Sequence, residues 1–279
     1  MALRITTLSD NTARMGDFLA EWGLSILVET EEARVLLDTG KGFSAVYNAD
    51  TLGIDLHNID RIVLSHGHYD HSGGLREILR RIRKKEVEVI AHPDIWQAKY
   101  ARREGEPDRY IGVPFHQNEL ESLGARFHLT TQPVEITSII MTTGEIPMVT
   151  GFEEVDTALF VKEGPAWQQD KVMDDQALIV KTEQGLVIVL GCAHRGMINT
   201  LYHAQQLAGT GKIHTVVGGS HLINASEERL WRTIDALRQL RVQRLGLCHC
   251  TDLPAASVLA QEFGENFFFN KAGTVVELN

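Results

Sequence analysis

The stretch Ser65-His66-Gly67-His68-Tyr69-Asp70-His71-Ser72-Gly73-Gly74 decides the reading of this chain. It follows an apolar run over residues 61–65 that reads as a buried strand, and it precedes an amphipathic helix over 74–84. With 12 histidines in 279 residues, a chance His-x-His-x-Asp-His is on the order of one in a thousand. Imidazole nitrogens are borderline-soft ligands for Zn, Fe or Mn, and a carboxylate adds a hard oxygen. His66 and His68, two residues apart, can reach one metal ion, while Asp70 and His71 can turn to a second. Gly67, Gly73 and Gly74 read as positions where the backbone bends sharply.

One loop cannot complete two coordination shells, so the remaining histidines are sorted by context. His194 lies in Gly191-Cys192-Ala193-His194-Arg195-Gly196, His221 in Gly218-Gly219-Ser220-His221-Leu222, and His249 in Cys248-His249-Cys250-Thr251. Each follows an apolar run, and sites in α/β sheets collect at the carboxyl ends of strands. His57, His92, His116, His128, His203 and His214 lack that context and read as ordinary polar histidines. Cys248 and Cys250 alternate about His249 and read as core. Asp174-Asp175-Gln176 reads as a turn.

The rest of the chain alternates strands and helices. Residues 25–30 and 34–38 form a hairpin closed at Glu31-Glu32, residues 43–52 a helix, and residues 87–91 a strand. A helix is expected over 94–103 and a surface loop over 105–118. Strands are expected at 125–130, 134–142, 158–162, 177–182 and 186–190. They are followed by a helix at 197–207, a strand at 214–217, a helix at 226–240, a strand at 244–247, a helix at 255–263 and terminal strands. Hairpins among βα units imply mixed sheets. Two such halves with helices outside give a four-layer αββα sandwich, read as a single domain over 1–279 with an insertion around 92–124.

Composition bounds the function. Hydrophobic residues make up 43% and charged residues 23%, too apolar for a disordered chain. No apolar run approaches the roughly 18–20 residues of a membrane span, and the residues after Met1 lack a signal-peptide layout. Three cysteines make no disulfide framework, so a cytoplasmic protein is expected. The net charge of −10 argues against nucleic acid and anionic membranes as partners. The basic run 76–85 reads as a solvated helix face. The partner expected is a small-molecule substrate; the oligomeric state is left open.

These residues resemble the metallo-β-lactamase superfamily. The resemblance spans most of the chain, through Val35-Leu36-Leu37-Asp38-Thr39-Gly40, the histidine loop, Gly191-Cys192 and His249. The branch that looks most similar, with Thr143-Gly144-Glu145-Ile146-Pro147 and Cys-His-Cys-Thr, includes metal-dependent hydrolases and archaeal-type dihydropterin–ribofuranosylaminobenzene phosphate synthases. The resemblance implies that His66 and His68 bind a first metal and that Asp70, His71 and His249 bind a second. Asp38 would orient a histidine by accepting its other N–H. In two places the chain departs from the common pattern. Glu145 stands where a third histidine of the first metal is usual, and Cys192 stands where a bridging carboxylate is usual. His194 is the favoured replacement ligand, with Cys192 and Glu145 kept as candidates. The expected cofactors are two divalent transition metals, Zn first and Fe or Mn next, activating water for hydrolysis of an ester, lactone or phosphodiester. Asp70 would take a proton from the nucleophile. His221 would bind substrate or protonate the leaving group. A pterin-pathway synthase, or a redox or sensor module on the same scaffold, are the alternatives.

Overall fold

The computed structural model describes residues 2–84 and 86–278. Met1 and Asn279, the ends of the single-domain reading, and Lys85, the end of the basic run, lie outside the described residues. The alternation of side chains along the strands builds the layers. Leu36 packs toward the helices Ser44–Thr51 and Leu75–Ile82, in a core with Ala45, Ile78 and Leu79. Its neighbours Val35 and Leu37 face the opposite way, into a core shared with Val187, Val189 and Val217. Ile188 then turns outward from the second sheet, against Ile198, Leu201, Ile234 and Leu259. These three apolar cores fill the three spaces between four layers.

The first sheet has seven strands, in the order Val275–Leu278, Leu3–Ser9, Ser25–Glu29, Arg34–Leu37, Arg61–Val63, Val87–Ala91 and Ala125–Leu129. Its first four strands pair antiparallel and its last three join in parallel. The second has six, in the order Phe267–Phe269, Arg244–Cys248, Ile213–Gly219, Gly185–Leu190, Ala177–Thr182 and Ile140–Thr142. There the first four are parallel and the last two antiparallel. The expected sandwich of two mixed sheets is therefore present. Strands Arg61–Val63, Gly185–Leu190, Ile213–Gly219 and Arg244–Cys248 all end just before the histidine-bearing segments.

A third sheet was not expected. Lys99–Ala101, Arg109–Tyr110, Leu159–Glu163 and Ala166–Gln169 form a small antiparallel sheet. It replaces the helix expected over 94–103 and part of the loop expected over 105–118. His92 accepts from the Asp94 N–H and starts only a 3-10 turn, Pro93–Trp96. Tyr100 then stacks edge-on against Tyr110 and Trp167. Cross-strand aromatic pairing outweighs local helix preference here. Helix Gln117–Ser122 occupies the end of the expected loop. The strand expected over 134–142 shortens to Ile140–Thr142.

The loop glycines act by close approach rather than by bending. Gly67, Gly73 and Gly74 all keep negative φ. A Cβ on Gly74 would meet the Thr39 carbonyl oxygen at 2.0 Å, and one on Gly67 would meet that of Ile95 at 2.6 Å. Gly74→Ala is therefore expected to destabilise the fold by about 1–3 kcal/mol. Urea unfolding checks this; an unchanged midpoint would mean the Thr39 backbone gives way freely.

Candidate metal centre

Among the described residues, four of the eight non-glycine residues with positive φ follow the ends of strands at this edge of the sheets: Asp38, Ala193, His221 and His249. Such backbone persists only where surrounding bonds over-determine it, and it clusters at functional sites. The Asp38 carboxylate accounts for much of that control. It accepts from the Ser65 N–H and the Ser65 hydroxyl, both at 2.7 Å, and lies 2.7 Å from His71 Nδ1.

These bonds set the proton positions. Ser65 gives its hydroxyl proton to Asp38, so its Oγ accepts from His66 Nδ1 at 2.9 Å. His71 Nδ1–H points at Asp38 directly. His249 Nδ1–H points at Asn11 Oδ1, 2.9 Å away, while the Asn11 amide nitrogen donates to the His249 carbonyl. In all three rings the Nε2 lone pair is turned into the same space. His71 Nε2 and His249 Nε2 then face each other at 3.1 Å, with Cys192 Sγ 3.1 Å from His71 Nε2.

Two lone pairs at that distance repel unless a positive charge lies between them. A proton can supply it: burial lowers the basicity of His71, but the charge and hydrogen bond of Asp38 outweigh this and hold it up at about 9. A metal cation would take the proton's place. His66 Nε2 similarly stands 3.0 Å from His68 Nδ1 and 3.2 Å from His194 Nε2. Nitrogens around one tetrahedral cation, at about 2.0–2.1 Å from it, would lie about 3.3 Å apart. Burial pushes His66 and His194 well below the usual histidine range and His68 to about 3, so these rings are neutral donors.

The donors fit metal ions in two overlapping sets, His66–Cys192–His194 and His71–Cys192–His249. Cys192 Sγ belongs to both. Burial, together with Cys250 and the nearby carboxylates, pushes its thiol far above the ordinary range, but a bound cation would reverse that and favour thiolate. The opposite ring nitrogens, His68 Nε2 and His194 Nδ1, are buried polar atoms without a protein partner. Asp70 Oδ2 lies 3.5 Å from His249 Nε2. Burial raises its carboxyl, yet the His249 bond and neighbouring histidines hold it below the usual carboxylate range.

Glu145 is not part of this arrangement. It pairs with His92 Nε2 at 3.0 Å and is partly exposed, and it belongs to none of the donor groups among the described residues. His194 occupies the position beside His66 instead, ring centroids 4.7 Å apart. His57, His203 and His214 bond to a backbone carbonyl, a backbone carbonyl and Thr215 respectively. His221 stacks 4.1 Å from His194, and its buried Nδ1 has no partner.

Sequence reasoning missed Cys250, Asn11 and Lys99. The strand ends at Cys248, and the left-handed turn at His249 swings Cys250 back toward the site. Cys250 Sγ there accepts from the His221 N–H and joins a third donor group with Cys192 and His221. Lys99 is fully buried between Asp170 at 2.8 Å and Asp174 at 2.9 Å. Asp174 in turn accepts from the Gly67 N–H at 2.7 Å, inside the histidine loop. Asp175 accepts from the Arg195 N–H, so both aspartates anchor backbone. The signal for Lys99 was a lone lysine in an otherwise apolar and aromatic strand.

A cleft of about 130 Å³ opens over His68, Asp70, Cys192, His194, His221 and His249. The sequence pattern described as "Metallo-beta-lactamase superfamily" matches residues 23–249. The chain is 34% identical over 287 residues to the 7,8-dihydropterin-6-methyl-4-(beta-D-ribofuranosyl)-aminobenzene-5'-phosphate synthase of Methanocaldococcus jannaschii, covering 99% of this chain and 96% of that one. It is 31% identical to Tm1679, a metal-dependent hydrolase of the beta-lactamase superfamily, whose crystal structure matches with a TM-score of 0.83 over 99% of both chains. A diphosphatase from the PhnP family matches at 12% identity and a TM-score of 0.57, over 100% of this chain and 98% of that one. At that identity the likeness concerns the fold alone.

Asp38→Ala is expected to weaken metal binding by about 10–100-fold, because it frees the tautomers of His66 and His71 together. Glu145→Gln is expected to leave it unchanged. Competition titration with a chromophoric chelator reads both; equal affinities for the two variants would refute the Asp38 assignment.

Proposed function

This chain belongs to the metallo-β-lactamase superfamily, and from that premise we propose that it is a dinuclear metal-dependent hydrolase. Its substrate is a small, phosphorylated molecule cleaved at an ester, lactone or phosphodiester bond. The carrying observation is the pair of opposed lone pairs at His71 and His249 beside a thiol shared by two donor sets. His66, His68, His194 and Cys192 would hold one ion, and Asp70, His71, His249 and Cys192 the other. Zn suits such nitrogen- and sulfur-rich sets best, with Fe or Mn next. Bound there, the ions would supply Lewis acidity and lower the pKa of water toward neutrality.

The chain's own groups do the rest. Asp70, ionised at neutral pH, orients the attacking water and takes its proton. The unpartnered His221 Nδ1 is the group that donates a proton to the leaving oxygen, or binds it. Its backbone N–H bond to Cys250 Sγ at 3.2 Å fixes the ring over the cleft. The carboxyl ends of the strands keep these groups rigid, so little reorganisation accompanies the reaction. Three free, buried cysteines suit a reducing compartment, in keeping with a cytoplasmic protein.

A second reading has its own support. The 34% identity to the dihydropterin-ribofuranosylaminobenzene phosphate synthase runs over 99% of the chain, so the same centre can be read as joining a pterin and a ribosyl-aminobenzene phosphate. Labelled water separates the two. Hydrolysis puts the labelled oxygen into product, and condensation does not.

His221→Ala is expected to lower turnover by about 10²–10⁴-fold with metal content unchanged. His68→Ala and Asp70→Ala are expected to lose both metal and turnover. Elemental analysis beside kinetics on a phosphodiester and lactone panel reads all three variants. Full metal content and activity in His68→Ala or Asp70→Ala would refute the site.

A further inference from the structure

The wall of the cleft facing the metal-binding side chains is made by the third sheet and carries Arg103 and Arg109. Both are exposed. Among the described residues, neither guanidinium has an ion-pair or side-chain hydrogen-bond partner, whereas adjacent Arg102 bonds Asp108 at 2.8 Å and stacks on Trp167 at 4.0 Å. Asp156, a carboxylate in the same cleft, is engaged with the Ala158 N–H at 2.9 Å. Arg103 and Arg109 thus place two guanidinium groups without an ion-pair partner on the wall of a cleft in a chain of net charge −10.

The hairpin that carries them is fixed to the histidine loop. Ala101 pairs with Arg109 across the two strands, which brings Arg103 and Arg109 to one end of the hairpin. Ile111 accepts from the Tyr69 N–H at 2.9 Å, between His68 and Asp70. Tyr69 packs with Ile111, Leu159 and Val172 in a small core. Buried Lys99 ties the same strand through Asp174 to Gly67. The backbone strands from which the arginines project are therefore tied to the histidine loop.

Resting on the hydrolase reading above, we propose that Arg103 and Arg109 form a clamp for the phosphate group of the substrate, apart from the bond that reacts. A guanidinium fork matches phosphate oxygens two at a time, with charge-assisted bonds. The clamp selects phosphomonoesters and diphosphates over neutral analogues, and it sets which end of the substrate meets His221 and Asp70.

The test titrates metal-loaded protein with inorganic pyrophosphate by calorimetry, in parallel with metal analysis. Arg103→Gln and Arg109→Gln are each expected to weaken binding about tenfold or more, and the double variant further, with metal content unchanged. Citrate, a tricarboxylate of similar charge, is expected to bind more weakly to the native protein and to respond less to the substitutions. An unchanged pyrophosphate affinity in the double variant overturns the clamp. Equal binding and equal response of citrate overturns its phosphate preference. The two readings fail separately: a native protein that holds no metal sinks the hydrolase, while only arginine-independent binding sinks the clamp. Because both side chains are exposed, the single variants should fold; native-like melting of each is checked first, and Arg→Lys at either position is expected to recover only part of the loss.

Discussion

Three hydrogen bonds to one buried carboxylate organise this protein's centre. Asp38 takes the Ser65 N–H, the Ser65 hydroxyl and the His71 ring proton. It thereby locks the end of one strand to the end of the next and fixes two tautomers, that of His71 directly and that of His66 through Ser65. Without these bonds the imidazoles would still be near one another, but their lone pairs would not share a direction. Asp38 itself holds a left-handed backbone, a conformation worth keeping only where such contacts compensate its cost.

A second set of constraints comes from the opposite side of the loop. Lys99 is buried with two aspartates, and removal of one member of such a group leaves an uncompensated charge costing about 3–5 kcal/mol. That makes the Asp170–Lys99–Asp174 cluster expensive to disturb, and Asp174 spends its remaining capacity on the Gly67 N–H. Asp38 sets where the ring protons lie, and Asp174 sets where the loop lies. The third sheet enters the site through that link, which ties the strand of Lys99 to the histidine loop.

Much of this was legible in the sequence. The strands at 34–38, 87–91, 177–182 and 186–190 were readable because both faces of the sheets are buried and the runs are apolar. The histidine loop was readable because its residue types serve few other purposes. The third sheet was not, since Tyr100 and Trp167 favour each other only once folding brings them within 5.0 Å. The glycines were recognised but for the wrong reason: a neighbour's carbonyl, invisible in the sequence, excludes their side chains. Cys250 was assigned to the core on strand alternation, which fails because His249 breaks the strand with positive φ. Glu145 occupied a motif position by count alone, and the nearest base to it in space is His92.

The electrostatics divide the centre into unequal halves. Burial strips His66, His68 and His194 of basicity, because a charged ring in a dry interior has no hydration and its neighbours would be charged too. That half presents neutral nitrogens and a thiol. The other half carries carboxylates, with Asp70 near the His249 ring and Asp38 behind His71. Negative charge stabilises a more strongly cationic occupant, and neutral donors leave a cation's charge less compensated and more able to polarise a substrate. Were ions bound as proposed, one in the second half would be held more firmly by charge, and one in the first would be the stronger electrophile. The asymmetry would give the two positions different work, one to anchor and one to activate, with the Cys192 sulfur in reach of both.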